Sequence, residues 1–193
     1  MSINLLEAVQ QNLGYPALQK IDSNTQQVVI DEKKPEEDKF SQATIPAILT
    51  GMYRYVQTDE GAKDLLLNDH SADWISKIFN ENEKEVIEAI SSYAGQSVED
   101  LLDKMKAIAT EAVKIVNEQL HPDATIKDMK IFFSNQKNTI LLYLPAALNI
   151  GTLLNDDTLD DNTNKMEGPV SIFMHSIGSA FTTPVTDDEI TTS

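Results

Sequence analysis

The chain has 193 residues, no cysteine, and 31 acidic against 15 basic side chains, for a formal charge of −16. The missing cysteine excludes thiol nucleophiles, thiolate zinc sites and disulfide scaffolds. The charge repels phosphate backbones and anionic headgroups, so nucleic acid is not an expected partner; the charge reads first as a means of solubility, with an acidic face for a basic partner as the alternative.

From the N-terminus, Ile3, Leu5, Leu6, Val9 and Leu13 form a one-sided apolar stripe that Gly14 and Pro16 stop, which predicts a first helix. Short helices are expected over Ala17–Ile21 and Asn24–Ile30. The run DEKKPEEDK at 31–39 cannot bury apolar surface and reads as a solvated loop. Ser41 or Thr44 then opens a helix through Ile45, Ile48, Leu49, Met52, Tyr53 and Val56, with Pro46 in its first turn. Two further short helices follow, over Glu60–Leu67 and Ser71–Phe79.

Asn82 with Glu85 has capping-box spacing for a helix that carries Val86, Ile87, Ile90, Tyr93 and Ala94, and Gly95 is placed to end it. Ser97 and Asp100 open the longest predicted helix. Its stripe runs through Val98, Leu101, Leu102, Met105, Ile108, Ala109, Ala112, Ile115 and Val116 until His121 and Pro122. Thr125 with Asp128 starts a helix through Ile131, Phe132 and Phe133, and Asn138 or Pro145 starts a last core helix ending near Leu154. No long period-2 segment occurs. The expected fold is therefore all-α, a multi-helix bundle of stacked helix-turn-helix units with little or no sheet.

This places a helical domain at 1–154, an acidic linker at 155–168, and a short amphipathic helix with a polar tail at 169–193. The last segment concentrates Val170, Ile172, Phe173, Met174, Ile177 and Phe181 behind a polar tether. An apolar helix so placed must bury its face on its own domain, a second copy or a partner, which makes these six residues the candidate docking surface. The N-terminus lacks a basic region and carries Glu7 in its apolar stretch, position 2 is serine, and no apolar run approaches 20 residues. No signal peptide, myristoylation or membrane span is expected, and the expected localisation is cytoplasmic.

Groupings that could carry chemistry are sparse. His70 with Asp69 or Asp73, and His121 with Asp123, could supply two metal ligands each, and His175 stands far from both. With Asp156 as position 1, Thr158, Asp160 and Glu167 fall where an EF-hand places ligands, but Asp161 and Thr163 occupy the positions that need glycine and an apolar residue. Carboxylate pairs such as Glu36–Glu37 and Asp156–Asp157 sit in hydrated runs and suit neither acid nor base catalysis. There is no GxSxG, GxxxxGK, GxGxxG or HExxH. No catalytic residue, metal site or cofactor is expected.

The segments IPAILTG (Ile45–Gly51) and LPAALNIG (Leu144–Gly151) echo each other, a hint of an internal repeat. The succession ATIPAILTGMYRYVQTDEGAKDLL (Ala43–Leu66), WISKIFNENEKEVIEAISSYAGQSVEDLLDKMKAIA (Trp74–Ala109) and LPAAL (Leu144–Leu148) resembles the YidB-like bacterial domain-of-unknown-function family. The shared features are a Pro-Ala-apolar helix, a Gly-Ala turn into a leucine pair, an Ile-Phe before a helix, and an Ala-Gly-x-Ser link into a long helix. Spanning about residues 3–154, the resemblance implies an all-helical fold and no established activity or cofactor. The charged insert at 31–39 and the acidic tail depart from the pattern. The expected function is a non-enzymatic helical interaction protein, self-associating or binding a protein partner. The alternatives are a carrier of a small apolar ligand between helices around Ala146–Leu154, and a metal-dependent enzyme.

Overall fold

The computed structural model describes residues 3–21, 38–69, 71–156 and 159. They form seven packed helices and a closing single turn: α1 (Leu5–Asn12), α2 (Lys39–Tyr55), α3 (Asp59–Leu67), α4 (Trp74–Phe79), α5 (Glu83–Ala94), α6 (Val98–Gln119), α7 (Ile126–Leu141) and α8 (Ile150–Leu153). No sheet occurs among the described residues, so the all-α bundle stands.

Its organising element is α2. Every residue from Phe40 to Met52 is buried, and α1, α4, α5, α6 and α7 all pack on this helix. No charged side chain lies between Lys39 and Arg54, and a helix without a polar face has to be enclosed by its neighbours. The helix starts at Lys39, capped by the Asp38 carboxylate, not at Ser41 or Thr44. Pro46 therefore lies in the helix interior instead of its first turn. Its missing N–H removes one ladder bond, and burial on all sides keeps the helix continuous through it.

The surrounding helices follow their stripes. Asn4 caps α1, and Leu5, Leu6 and Val9 are buried. Ser97 caps the 22-residue α6, which buries Leu101, Met105, Ile108, Ala109, Ala112, Val113, Ile115 and Val116. Gly95 ends α5 at φ +65, so the Ala-Gly-x-Ser link is a left-handed C-cap running into the next N-cap. Thr125 and Asp128 form a full capping box at α7.

Several boundaries differ from expectation. Residues 17–21 are not helical; Pro16 precedes them, and so short a segment gains too few internal bonds to nucleate a helix. The helix expected over Ser71–Phe79 begins at Trp74, capped by Asp73. Asn82 makes no side-chain cap; a 3₁₀ turn at Asn80–Asn82 leads into α5 instead. Asn138 lies inside α7, which runs unbroken to Leu141, and the last core helix is reduced to a 3₁₀ turn (Ala146–Leu148) and α8, separated by Asn149 at φ +49. The two echoing segments thus differ: one is continuous buried α-helix, the other two short turns. Leu159, within the segment read as linker, is buried. The helix expected over Asn24–Ile30 and the C-terminal helix lie outside the described residues.

Candidate functional site

A polar cluster joins α2, α3 and α4. Gly61 sets it up: a Cβ there would lie 2.1 Å from the Tyr55 carbonyl oxygen, so only glycine lets the first turn of α3 close against the end of α2. Thr58 caps α3 by accepting from Gly61 N. The Tyr55 hydroxyl then donates to Asp64 Oδ2 at 2.8 Å, and Lys77 Nζ from α4 donates to the same oxygen at 2.6 Å.

Burial first, and then the bond to Asp64, pushes the Tyr55 phenol well above its ordinary pKa. The bond from Lys77, with that from Tyr55, holds the Asp64 carboxyl below the usual range. The phenol stays protonated and the carboxylate ionised across neutral pH, so neither is matched to proton transfer there. The arrangement fastens three helices together. Two further pairs extend it: Lys106 with Asp73 at 2.8 Å, tying α6 to the cap of α4, and Lys130 with Asp59 at 2.6 Å, tying α7 to α3.

Two buried glutamines hold the N-terminal segment. Gln42 of α2 accepts from Gln19 N at 2.8 Å and donates through Nε2 to the carbonyls of Gln19 and Tyr143, both at 2.9 Å. Ile21 N donates to Leu142 O at 2.8 Å. The extended segment 17–21 therefore takes its backbone bonds from a side chain and from the end of α7. Gln136 of α7 repeats the device at α1, accepting from Leu5 N at 3.1 Å and donating to Ile3 O at 2.9 Å. The Leu5 N–H is among the unpaired donors of a helix start, and the amide satisfies it.

Two surface clefts stand out. One, of about 270 Å³, lies beside α1 and is lined by Leu6, Glu7, Gln10, Leu18 and Tyr143 among others. The larger, about 450 Å³, is formed by Asn80 and Glu81 of the 3₁₀ turn, by Glu83, Lys84, Ile87 and Glu88 of α5, and by Val98 at the start of α6. Asn80 turns the chain into this cleft at φ +47, a backbone region that residues with a Cβ rarely adopt. Neither cleft is lined by residues of the Ala146–Leu154 region, where Leu148, Ile150, Gly151 and Leu154 are buried.

Of the sequence-selected residues, the histidine pair that is described, His121 with Asp123, forms no larger grouping. His121 is 79% exposed; its Nδ1 accepts from Asp123 N at 3.3 Å and lies 3.7 Å from the Asp123 carboxylate, a local turn after α6. Among the described residues no three His, Asp or Glu side chains are grouped to hold a metal. His70, His175, Glu36, Glu37, most of the calcium-like loop, and Val170, Ile172, Phe173, Met174, Ile177 and Phe181 lie outside the described residues. Sequence reasoning missed Asp64, Lys77, Gln42 and Gln136. The glutamines carried a usable signal, since each interrupts an otherwise apolar helix stripe, whereas nothing local ties Asp64 to Lys77. No family model, curated protein or solved structure matches this chain.

Proposed function

We propose that this protein is a non-enzymatic helical interaction protein, with the apolar segment Val170–Phe181 as a surface for self-association. The observation that supports the reading is how the strongest polar groups of the body are used. Asp64, Asp73, Asp128, Tyr55, Gln42 and Gln136 all bond to other parts of the fold, and each bond joins helices, caps one or anchors a segment. Such a body serves as a scaffold, and the association surface is then to be sought in the apolar cluster that follows the acidic stretch.

The test is light scattering coupled to size-exclusion chromatography on the full chain and on a chain stopped at Asp161. A larger mass for the full chain, lost on truncation, is the expected result. Identical monomers of equal thermal stability would refute a role for the segment.

A further inference from the structure

The cleft between α5 and the start of α6 carries an inference about partner chemistry. Val98 is the first helical residue of α6, flanked by the Ser97 cap and by Glu99 and Asp100. A polar residue would serve that position better, because the helix start favours hydrogen-bonding and acidic side chains. Val98 nevertheless stays 43% exposed, so nearly half of its surface is left uncovered by the fold. It faces the cleft that Ile87, 7% exposed, also lines.

The rim is acidic. Glu81, Glu83 and Glu88 stand against Lys84, whose Nζ lies 3.8 Å from the Glu88 carboxylate, and Glu83 also faces Lys106, which is paired with Asp73. Glu83 accepts a bond from the Ser76 hydroxyl, which leaves its charge in place. Against a chain that carries −16 overall, a second acidic copy would be repelled from this rim, and so would a nucleic acid.

We infer that this cleft binds a basic amphipathic helix of a partner protein, seating an apolar side chain between Ile87 and Val98 and lysine or arginine against the Glu81, Glu83 and Glu88 rim. A volume of about 450 Å³ admits a few anchor side chains and not a folded domain. This extends the interaction-protein reading to a hetero-partner, and its outcome is separate from that of the association assay above.

The probe is a fluorescein-labelled 15-residue peptide of leucine and lysine with one apolar stripe. A shuffled peptide of equal composition and charge is the control. Both are titrated into the full chain by anisotropy, with amide chemical shifts mapping the site. The patterned peptide should bind more tightly than the shuffled one and move the resonances of residues 81–88 and 98.

The decisive variant is Val98→Asp, which suits a first helical turn and adds negative charge to the cleft. Purely electrostatic binding would tighten. Loss of the apolar anchor should instead weaken it about fivefold, the worth of burying roughly half a valine side chain. Glu81→Gln with Glu88→Gln should flatten the salt dependence of binding. Equal affinity of the two peptides, shifts lying away from α5, or tighter binding to Val98→Asp would each overturn the inference.

Discussion

Replacing Gln42 by leucine tests how the N-terminal segment is held. The leucine fills a similar volume but removes one acceptor and one donor group, stranding Gln19 N–H, Gln19 C=O and Tyr143 C=O. Gln42 is 1% exposed and Gln19 7%, so water has little access to the two Gln19 groups, and the Tyr143 carbonyl is part-buried. An orphaned buried N–H costs about 2 kcal/mol, and an orphaned carbonyl about 1, because its second lone pair leaves more ways to be satisfied. The sum is about 4 kcal/mol. The better transfer of leucine into the core offsets about 1 kcal/mol of it. The net loss of about 3 kcal/mol is a large share of the 5–15 kcal/mol that keeps a domain folded. In urea, with a slope of about 2 kcal/mol per molar, the midpoint should fall by about 1.5 M. The single tryptophan, Trp74, is 2% exposed and reports the transition. Amide exchange at Gln19 and Ile21 supplies a local readout, since the segment can open before the whole fold does. A midpoint within about 0.25 M of wild type, with protection at both amides unchanged, would refute the reasoning.

Gln136→Leu strands only Leu5 N–H and Ile3 C=O and should cost about 2 kcal/mol in the same assay. Gly61→Ala drives a Cβ into the backbone carbonyl of Tyr55 and should destabilise by more than about 2 kcal/mol. Gly51→Ala meets the side chains of Ile78 and Phe79 at 2.6 Å, which can shift, and should cost less, about 1 kcal/mol. Equal loss at both glycines, measured by thermal unfolding, would show that backbone contact is not what sets the cost. The carboxyl of Asp64 is depressed in the folded chain by its bonds from Lys77 and Tyr55, so its contribution is present above the unfolded value near pH 4 and lost as pH falls through the lower folded value. The stability difference between wild type and Asp64→Asn should therefore be constant from pH 7 to 5 and shrink below about pH 4. Using the difference removes the general relief of the −16 charge on acidification. A difference that shrinks between pH 7 and 5 would contradict the Asp64 assignment.

Local signals made much of the architecture legible. The caps at Ser97 and Thr125, the left-handed stop at Gly95 and the α6 stripe from Leu101 to Val116 act within a turn or two of chain, so each could be located from neighbouring residues alone. The absence of sheet among the described residues followed from the same periodicity. What local pattern could not supply was which helix would be enclosed. Ala43, Thr44, Ala47 and Thr50 lie outside the apolar stripe of Ile45, Ile48, Leu49 and Met52, yet they are as buried as Ile45 and Ile48, because helices from both sides of the chain close on them. That enclosure also carried the helix through Pro46.

The remaining features depend on residues far apart in sequence. Gln42 meets Tyr143 across 101 positions and Gln136 meets Ile3 across 133, so segment 17–21 lies extended for reasons its own five residues do not contain. The Asp64–Lys77 bond and the apposition of Ile87 with Val98 likewise exist only once α3 is set on α4 and α5 beside α6. Sequence by itself determined the all-α class, most of the helices, the caps at Ser97 and Thr125 and the acidic charge, because propensity, capping and charge act over a few residues. Tertiary structure alone decided which polar groups are anchors, which helix is the core and where a cleft remains, because hydrogen bonds and burial between distant segments form only when the whole chain has closed.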